Sequence, residues 1–455
     1  MKIHLIGIGG IGISALAQYY LAKNNQVSGS DLCSSEITEL LKSKGADIFI
    51  GANKEENISK DLDLVIYSPA IEKDNPELKK AIGLGINTAS YPEALGKITE
   101  KYFTIAVSGA HGKSTTTSMI SIILARAGLN PTVFLGTKLK EFGNSNFRLG
   151  GQIDDNLKNL NFKFCDSKSK ILVIEADEYK SSFLNYFPEI IVLTNIEEEH
   201  LDYYGSLDNI LEVFEQYILR LPDNGYLIYN SDDKNISKLD FSQKSFTKIG
   251  YSNKDKEIED IRKVLKVPGL HNASNALAAF KAVRALGLNE NEILSGLSDY
   301  CGAWRRFEIK NVSLNQKDII LVSDYAHHPT EIEATLKAAR EKWENKKIWA
   351  VFQPHQKQRT SFLFDKIVDS FAKSSVDKVI LLPIYDVAGR DNKEIQDNIS
   401  SEKLCEEINK KGKSALYIEN FIKAREFLID NLENGDILFI MGAGDIYDLD
   451  KMLST

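Results

Sequence analysis

A strand, a glycine-rich turn and a helix begin this chain, and the same pattern starts again just after residue 100. "KIHLIGIGGIGISALAQYYLAKNN" begins at Lys2, and "YFTIAVSGAHGKSTTTSMISIILARAG" begins at Tyr102. In each, an apolar run ends in small residues and an apolar helical stretch follows. Strands that alternate with helices form parallel sheets, because a parallel neighbour needs a crossover connection. The pattern predicts an α/β protein with more than one sheet.

A third series of strands and helices begins near Asp318 with "DIILVSDYAHHPTEIEATLKAAREKW". The 455 residues suffice for three domains of about 150 residues each. We therefore predict three domains, each built on a mainly parallel sheet, with boundaries near Glu100 and Lys310. They span residues 1–100 (Rossmann-like), 101–310 (P-loop ATPase-like) and 311–455 (Rossmann-like).

Composition narrows the function classes. The net charge of −8 provides no overall positive field for nucleic acid. The four cysteines are far apart and match neither a disulfide framework nor a CxxC motif, which favours reduced cytosol; they are Cys33, Cys165, Cys301 and Cys405. Residues 3–22 lack charged side chains, but the glycine turn interrupts them, so a signal peptide or membrane span is disfavoured. We expect a cytoplasmic protein without nucleic-acid or membrane partners, as a monomer or homodimer.

The second glycine turn predicts a polyphosphate site. Backbone N–H groups of such a turn, with a helix N-terminus behind them, bind phosphates. A lysine then neutralises the β/γ-phosphates, and the next hydroxyl ligates Mg²⁺. Gly109, Gly112, Lys113 and Ser114 occupy these positions, although Val107 replaces the first glycine of the general pattern. Because a strand precedes the turn and a helix follows it, we favour ATP binding over an incidental turn and helix cap.

Acidic residues end two later apolar strands. "KILVIEADE" places Glu175, Asp177 and Glu178 at one strand end, and "EIIVLTNIEEEH" ends in His200. Carboxylates are preferred magnesium ligands, whereas imidazole is not. From the sequence pattern alone His200 is more simply a surface residue.

The first glycine turn leaves the ligand open. Gly7, Gly9 and Gly12 fit GxGxxG, and Asp31 follows at the distance typical of a dinucleotide fold. An NAD-dependent oxidoreductase is one interpretation, but a UDP-sugar also presents a diphosphate and a ribose. The second phosphate loop is expected in a ligase and has no explanation in a dehydrogenase. A nucleotide-binding switch without chemistry is a third hypothesis.

Seven motifs in order resemble the Mur ligase family: "GAHGKSTTT", "EADE", "NIEEEH", "HNASN", "GAWRRFE", "DYAHHPTE" and "QPHQKQRT". The resemblance extends from residue 3 to about residue 446. It implies a first domain for a UDP-sugar, a second for ATP and a third for an amino acid. ATP would phosphorylate the lactyl carboxylate of UDP-N-acetylmuramate, and the amine of L-alanine would attack the acyl phosphate. "QPHQKQRT" and "SFLNYFP" favour this alanine-adding branch over a recycling branch that attaches a tripeptide.

The resemblance also implies residue roles. The catalytic group would comprise Lys113, His200, Arg306 and His327. The ATP site would comprise Gly109, Ala110, His111, Gly112, Lys113, Ser114, Thr115, His271, Asn275, Arg306 and Asp324. Mg²⁺ (or Mn²⁺) would be held by Ser114, Glu175 and His200. The UDP-sugar site would comprise Gly7, Gly9, Gly10, Gly12, Asp31 and Ser68, and the amino-acid site His327, His355 and Arg359.

Two positions depart from the family pattern. Gln356 stands where many alanine-adding members have an arginine, which puts one substrate contact in doubt. Ser114 stands where threonine is usual, a mild change because both supply a hydroxyl. Glycine and serine remain alternative acceptors at this stage.

Overall fold

Three mainly parallel sheets are present in the computed structural model, as the strand–helix alternation predicts. The structure describes residues 1–151, 170–242, 244–386 and 399–454. Cys165 lies outside them, and Cys33, Cys301 and Cys405 are free thiols. The described residues form two compact units, Met1–Leu265 with Ser274–Tyr300, and Lys266–Ala273 with Cys301–Thr455.

The first sheet has the strand order β3-β2-β1-β4-β5, and all its neighbouring strands are parallel. Its strands are β1 (Lys2–Ile6), β2 (Gln26–Asp31), β3 (Asp47–Ile50), β4 (Leu64–Tyr67) and β5 (Asn87–Ser90). Its helices are α1 (Ile11–Ala22), α2 (Glu36–Ser43), α3 (Pro76–Gly83) and α4 (Tyr91–Thr99). The order reverses between β1 and β4, and ligands bind at such a switch point. The glycine turn directly follows β1.

The second sheet has the order β12-β11-β10-β6-β9-β7-β8, parallel except for the β7–β8 pair. Its strands are β6 (Phe103–Ser108), β7 (Thr132–Leu139), β8 (Ser145–Arg148), β9 (Ile171–Glu175), β10 (Ile190–Leu193), β11 (Tyr226–Asn230) and β12 (Thr247–Tyr251). The helices that follow are α5 (Lys113–Arg126), α6 (Leu201–Tyr204), α7 (Leu207–Ile218), α8 (Glu257–Val264), α9 (Leu270–Ala285) and α10 (Glu290–Asp299). Every residue of β6 is buried, and β9 and β10 flank it. The phosphate loop and both acidic segments therefore leave adjacent strands at one edge.

The third sheet has the order β13-β14-β18-β15-β16-β17, parallel except for the β13–β14 hairpin. Its strands are β13 (Glu308–Leu314), β14 (Lys317–Asp324), β15 (Ile348–Phe352), β16 (Lys378–Leu381), β17 (Ala415–Tyr417) and β18 (Ile437–Met441). Its helices are α11 (Pro329–Lys342), α12 (Lys357–Phe362), α13 (Phe364–Ala372), α14 (Ser401–Lys410), α15 (Phe421–Asn431) and α16 (Tyr447–Ser454). Segments after β14, β18 and β15 meet at one sheet edge.

None of the helices within the described ranges combines the length and apolar composition required for a membrane span.

Candidate active site

In the glycine turn that follows β1, the backbone lies close to neighbouring side chains, so there is little room for a Cβ. Gly7 has a left-handed φ of +78°, and a Cβ there would lie 3.2 Å from the Cβ of Ser68. Gly10 precedes the first turn of α1, and its N–H donates to the Gly7 carbonyl at 3.1 Å. A Cβ on Gly12 would lie 3.2 Å from the Tyr91 ring. Ser68 thus lies beside the turn, as the predicted UDP-sugar site requires.

Asp31 holds this turn. Its Oδ2 accepts the Gly9 N–H at 2.8 Å, and a Cβ on Gly9 would lie equally close to that oxygen. The carboxylate therefore fixes the path of the backbone in front of α1. The predicted ligand contact of Asp31 stays a prediction, and its turn-holding role is visible without a ligand.

The phosphate loop is held by side chains from the end of β10. Asn195 accepts the Ala110 N–H with its backbone carbonyl at 3.1 Å and the His111 N–H with Oδ1 at 2.8 Å. Thr194 donates its hydroxyl to the His111 carbonyl at 2.6 Å. Gly109 has a φ of +132°, and a Cβ there would overlap the Thr194 hydroxyl. The loop conformation therefore requires glycine.

Lys113 begins α5, and its ammonium points back across the loop. Nζ donates to the Gly109 carbonyl at 2.6 Å and to both Glu178 oxygens at 2.8 and 3.1 Å. Burial alone would lower the pKa of Lys113, but Glu178 and the neighbouring Asp177 outweigh burial and raise it. Glu178 is only 3% exposed. The pair keeps a charged lysine at the mouth of the loop.

Ser114 and Glu175 form the predicted metal pair. The Ser114 hydroxyl donates to Glu175 Oε2 at 2.9 Å, while Oε1 accepts the Gly136 N–H at 2.6 Å. A hydroxyl and a carboxylate are the hard oxygen donors that Mg²⁺ prefers. The chemistry of these two side chains therefore fits a magnesium site, which Ser114 and Glu175 would hold.

A second acidic group lies beside this pair. Donor atoms of Asp177, Glu178 and His200 all lie within 4.8 Å of one another. His200 Nε2 is 3.8 Å from Glu178 Oε1, and its ring packs on Tyr179 with centroids 4.7 Å apart. The Tyr204 hydroxyl donates to the Glu178 carbonyl. His200 thus belongs to the acidic cluster and is not an isolated surface residue.

The predicted adenine contacts lie on or beside α9. A Cβ on Gly112, whose φ is +82°, would overlap the Asn275 amide oxygen, so this amide packs against the phosphate loop. His271 lies in the other compact unit. Burial lowers the pKa of His271 to about 4, with Glu331 opposing, and the imidazole is neutral at pH 7.

In the second unit, Arg306 and Asp324 lie on neighbouring segments. The Arg306 guanidinium is 4.8 Å from the Tyr325 ring centroid and 3.9 Å from a Glu331 oxygen. Asp324 accepts the Phe307 N–H and the Ala326 N–H, each at 2.8 Å. Burial raises the pKa of Asp324 to about 6, and those two hydrogen bonds and Arg306 oppose the shift. Asp324 therefore joins two backbone segments as well as being a predicted ribose contact.

Two predicted amino-acid contacts meet after β14 and β15. The rings of His327 and His355 are 6.0 Å apart, and His355 stacks on Tyr385 at 5.5 Å. His327 Nδ1 is 3.2 Å from the Tyr325 carbonyl and 3.3 Å from a Glu331 carboxylate oxygen. Since both neighbouring oxygens accept, the contacts favour hydrogen on Nδ1, which is the tautomer that leaves a lone pair on Nε2 when the ring is neutral. Arg359 lies on α12, which starts after Gln356 with its φ of +66°.

Sequence reasoning missed several supporting residues. It named Glu178 only as an acid, and it did not single out Asn195, Gln353 or Tyr385. Gln353 donates to Asp445 at 2.8 Å and accepts the Ile446 N–H at 3.0 Å. Asn195 could have been found from the sequence. It belongs to "TNIEEEH", which follows β10, and the phosphate loop follows the neighbouring strand β6, so the two segments lie next to each other.

Family models match the chain in three consecutive stretches. They are described as "Mur ligase family, catalytic domain" (residues 2–103), "Mur ligase middle domain" (107–283) and "Mur ligase, glutamate ligase domain" (305–444).

Curated relatives and solved structures agree with these matches. The chain is 41% identical to a UDP-N-acetylmuramate–L-alanine ligase of Acetivibrio thermocellus, over 99% of this chain and 95% of the relative. A ligase of the same name from Clostridium botulinum is 39% identical over 99% and 96%. The crystal structure of a UDP-N-acetylmuramate–alanine ligase from Thermotoga maritima superposes with a TM-score of 0.79 at 26% identity, covering 100% of this chain and 98% of that one. A murein peptide ligase from Psychrobacter arcticus shares the fold, with a TM-score of 0.70, 23% identity and 100% and 98% coverage.

The predicted resemblance and the predicted three-domain α/β fold are confirmed, and the chain belongs to the Mur ligase family.

Proposed function

We propose that this chain is an ATP-dependent ligase that joins L-alanine to the lactyl carboxylate of UDP-N-acetylmuramate, forming ADP and phosphate, in peptidoglycan precursor synthesis. The observation that supports it most is the shared edge of β9, β6 and β10, where Lys113 meets Glu178 and Ser114 meets Glu175. The Lys113 ammonium is suited to the phosphates of a nucleotide, and the oxygens of Ser114 and Glu175 are suited to magnesium. The names of the similar ligases supply the substrates of the proposal.

Ser114 and Glu175 are the residues that would hold magnesium, and His200 would border a second ion. Such an ion would neutralise phosphate charge during transfer. Glu175 is oriented for this role by the Gly136 N–H, which occupies its other oxygen. Glu178 keeps the Lys113 ammonium charged within the phosphate loop, where it would neutralise a γ-phosphate.

The remaining groups act on the two organic substrates. A free carboxylate is a poor electrophile, and phosphorylation gives it a leaving group. Arg306 is proposed to stabilise charge on the transferred phosphoryl group. The amine of alanine must lose a proton to attack, and the Nε2 lone pair of His327 is suited to accept it. Arg359 is proposed to bind the alanine carboxylate, because its planar fork can donate two parallel hydrogen bonds.

The remaining assignments concern the UDP-sugar, the nucleoside of ATP and the domain bounds. The UDP diphosphate would lie at the Gly7–Gly12 turn, where α1 directs N–H groups toward an anion. His271, Asn275 and Asp324 would contact the nucleoside of ATP. We propose the domain bounds 1–100, 101–310 and 311–455, although β13 of the third sheet begins at Glu308. A cytoplasmic location is proposed from the wide spacing of the four cysteines, together with a monomer or homodimer.

The test is product formation with single components omitted. Full-length protein is incubated with ATP, Mg²⁺ and UDP-N-acetylmuramate, together with L-alanine, glycine, L-serine or the tripeptide, and products are identified by mass. We expect phosphate release and the L-alanyl amide only when both substrates are present, with no dependence on NAD(H). A tripeptide product would assign the recycling activity, and alanine-independent turnover or hydride transfer would reject a ligase.

Arg359→Lys sharpens the acceptor assignment. We expect a raised KM for L-alanine with little change in ATP binding, because lysine cannot reproduce the planar fork. A raised KM for UDP-N-acetylmuramate would instead assign Arg359 to the lactyl side. If neither KM changes, the residue is structural.

A further inference from the structure

Arg305 is a buried cation directly before the proposed phosphate-binding Arg306. Its residue exposure is only 5%. Its guanidinium donates to the backbone carbonyls of Gly442 and Gly444, and these partners carry no formal charge. The second contact is 3.4 Å long. Burial lowers the pKa of Arg305 although the Asp324 and Asp450 carboxylates attract the guanidinium, so burying this charge is costly.

Aromatic faces supply part of the compensation. The guanidinium carbon lies 4.9 Å from the Tyr325 ring centroid, 5.4 Å from that of Tyr447 and 5.7 Å from that of Trp304. Such cation–π contacts are each worth about 0.5–2 kcal/mol, more when desolvated. Arg305 therefore joins the segment after β14, the segment after β18 and its own loop.

The backbone around Arg306 is strained on both sides. Arg305 has a φ of +56° and Phe307 a φ of +51°, and both are non-glycine residues in the left-handed region. The Tyr325 N–H donates to the Arg305 carbonyl at 2.7 Å, and the Phe307 N–H donates to Asp324 at 2.8 Å. Strain of this kind persists only when the surroundings over-determine the conformation, and it concentrates at functional sites.

One ring connects the two arginines. The Arg306 guanidinium carbon lies 4.8 Å from the Tyr325 centroid, nearly the same distance as that of Arg305. A change in the position of this ring would therefore move the surface on which Arg306 packs.

We infer that Arg305 is a positioning residue: it fixes the Tyr325 ring and the Gly442–Gly444 segment so that Arg306 is held in its working orientation. The inference rests on the proposed function, in which Arg306 stabilises phosphoryl charge. Arg305 touches no substrate in this account and acts entirely through its neighbour.

The test is a double-mutant cycle in the full-length protein with Arg305→Met, Arg306→Met and both together. Methionine keeps part of the stem and removes the fork. We expect Arg306→Met to lower kcat by about 10²-fold, the scale of losing one group that stabilises transition-state charge. Arg305→Met should lower kcat by about 10-fold or more, and the double variant should equal Arg306→Met within about 3-fold, because coupled residues are not additive.

Arg340→Met is a matched control. Arg340 lies in the same unit and also donates to backbone carbonyls, including those of Ser375 and Lys346. We expect it to lower Tm while leaving kcat unchanged. Arg305→Lys retains the charge without the planar fork, so it should lower kcat nearly as much as Arg305→Met. Equal kcat losses for Arg305→Met on both backgrounds, or a Tm loss without a kcat loss, would overturn the inference.

An activity-free measurement separates this inference from the proposed function. In protein labelled with ¹⁵N-arginine, the Arg306 Nε–H resonance is assigned by its disappearance in Arg306→Met. We expect it to shift in Arg305→Met and Arg305→Lys but not in Arg340→Met. An unmoved resonance rejects the positioning role even if the ligase reaction is confirmed. A shifted resonance in a protein that forms no amide leaves the positioning role standing and rejects the function.

Discussion

The two glycine turns at Gly7–Gly12 and Gly109–Ser114 share one local design and differ in where charge is placed. Each follows a buried strand and begins a helix. In the first turn the Asp31 carboxylate takes a backbone N–H of the turn itself. In the second, the neutral Asn195 takes that structural role, and the carboxylates of Glu175 and Glu178 bind Ser114 and Lys113 instead. A turn that only binds a diphosphate needs shape, whereas one that takes part in phosphoryl transfer also needs a cation and metal ligands.

The largest expected effect comes from removing the cation of the second turn. Lys113→Met should lower turnover by at least ~10²-fold, because in the proposed function the ammonium would stabilise charge that develops on the transferred phosphoryl group. It should leave the KM for the UDP-sugar nearly unchanged. Steady-state kinetics with each substrate varied measures both. Lys101→Met, on the surface before β6, is the matched control, and near-normal turnover of a folded Lys113 variant would remove the functional contrast between the turns.

Replacing the carboxylate of each turn by an amide should give the next largest difference in turnover between the two turns. Glu175→Gln keeps an acceptor for the Gly136 N–H but removes a charge from the proposed metal site. We expect turnover to fall by about 10²-fold and half-saturation to require more Mg²⁺, since carboxylate charge supports magnesium binding. Mg²⁺ titrations of turnover and of ATP binding provide the measurement. The corresponding first-turn change, Asp31→Asn, should leave the Mg²⁺ dependence unchanged; a shift in both would mean that the two carboxylates are not functionally distinct.

Alanine at a left-handed glycine tests shape in both turns. Gly7 and Gly112 have φ values of +78° and +82°, so backbone strain is matched, at roughly 1–2 kcal/mol per site. A Cβ on Gly112 would overlap the Asn275 amide, whereas on Gly7 it would meet the Ser68 Cβ at 3.2 Å. We expect Gly7→Ala to raise the UDP-sugar KM by about fivefold to thirtyfold, the equivalent of this strain, and Gly112→Ala to weaken ATP binding by more than about thirtyfold. Isothermal titration with each ligand, alongside Tm, separates binding from folding; crossed effects would contradict the assignment of ligands to turns.

Sequence reasoning found those parts of the two turns that depend on local order. The spacing of Gly109, Gly112 and Lys113 follows from what a strand, a tight turn and a helix require of consecutive residues. The parallel sheets followed from the same alternation. The adjacency of Glu175 to Ser114 agrees with the pairing that the Mur ligase resemblance implies, in which both would ligate one magnesium ion.

Long-range pairing could not be foreseen in the same way. The sequence around Glu178 does not show whether this carboxylate pairs with a lysine or ligates a metal. Its role depends on which side chain at the end of a neighbouring strand lies within reach. The same holds for Asn195, and for Asp324, whose two oxygens join backbone segments that lie apart in sequence. Only the strand order of each sheet decides these contacts.

The smallest expected effect concerns Asp31. It distinguishes a carboxylate that holds the first turn from one that contacts the ligand. Oδ2 accepts the Gly9 N–H at 2.8 Å, and the second oxygen makes only a 3.4 Å contact with the Cys33 N–H. If the carboxylate mainly holds the turn, Asp31→Asn retains an acceptor oxygen, so stability should fall by no more than ~1 kcal/mol, within the range for one hydrogen bond. The UDP-sugar KM should then rise by less than about threefold, because a neutral acceptor still fixes the Gly9 N–H.

Asp31→Ala removes the acceptor and should lower stability by about 1–3 kcal/mol, the range for leaving a buried donor unsatisfied. Urea unfolding of the three proteins and UDP-sugar kinetics provide the comparison. A rise of more than tenfold in KM for Asp31→Asn, with unchanged stability, would show that the charge itself contacts the ligand, and the contrast between a shaping carboxylate in the first turn and charge-placing carboxylates in the second would have to be abandoned.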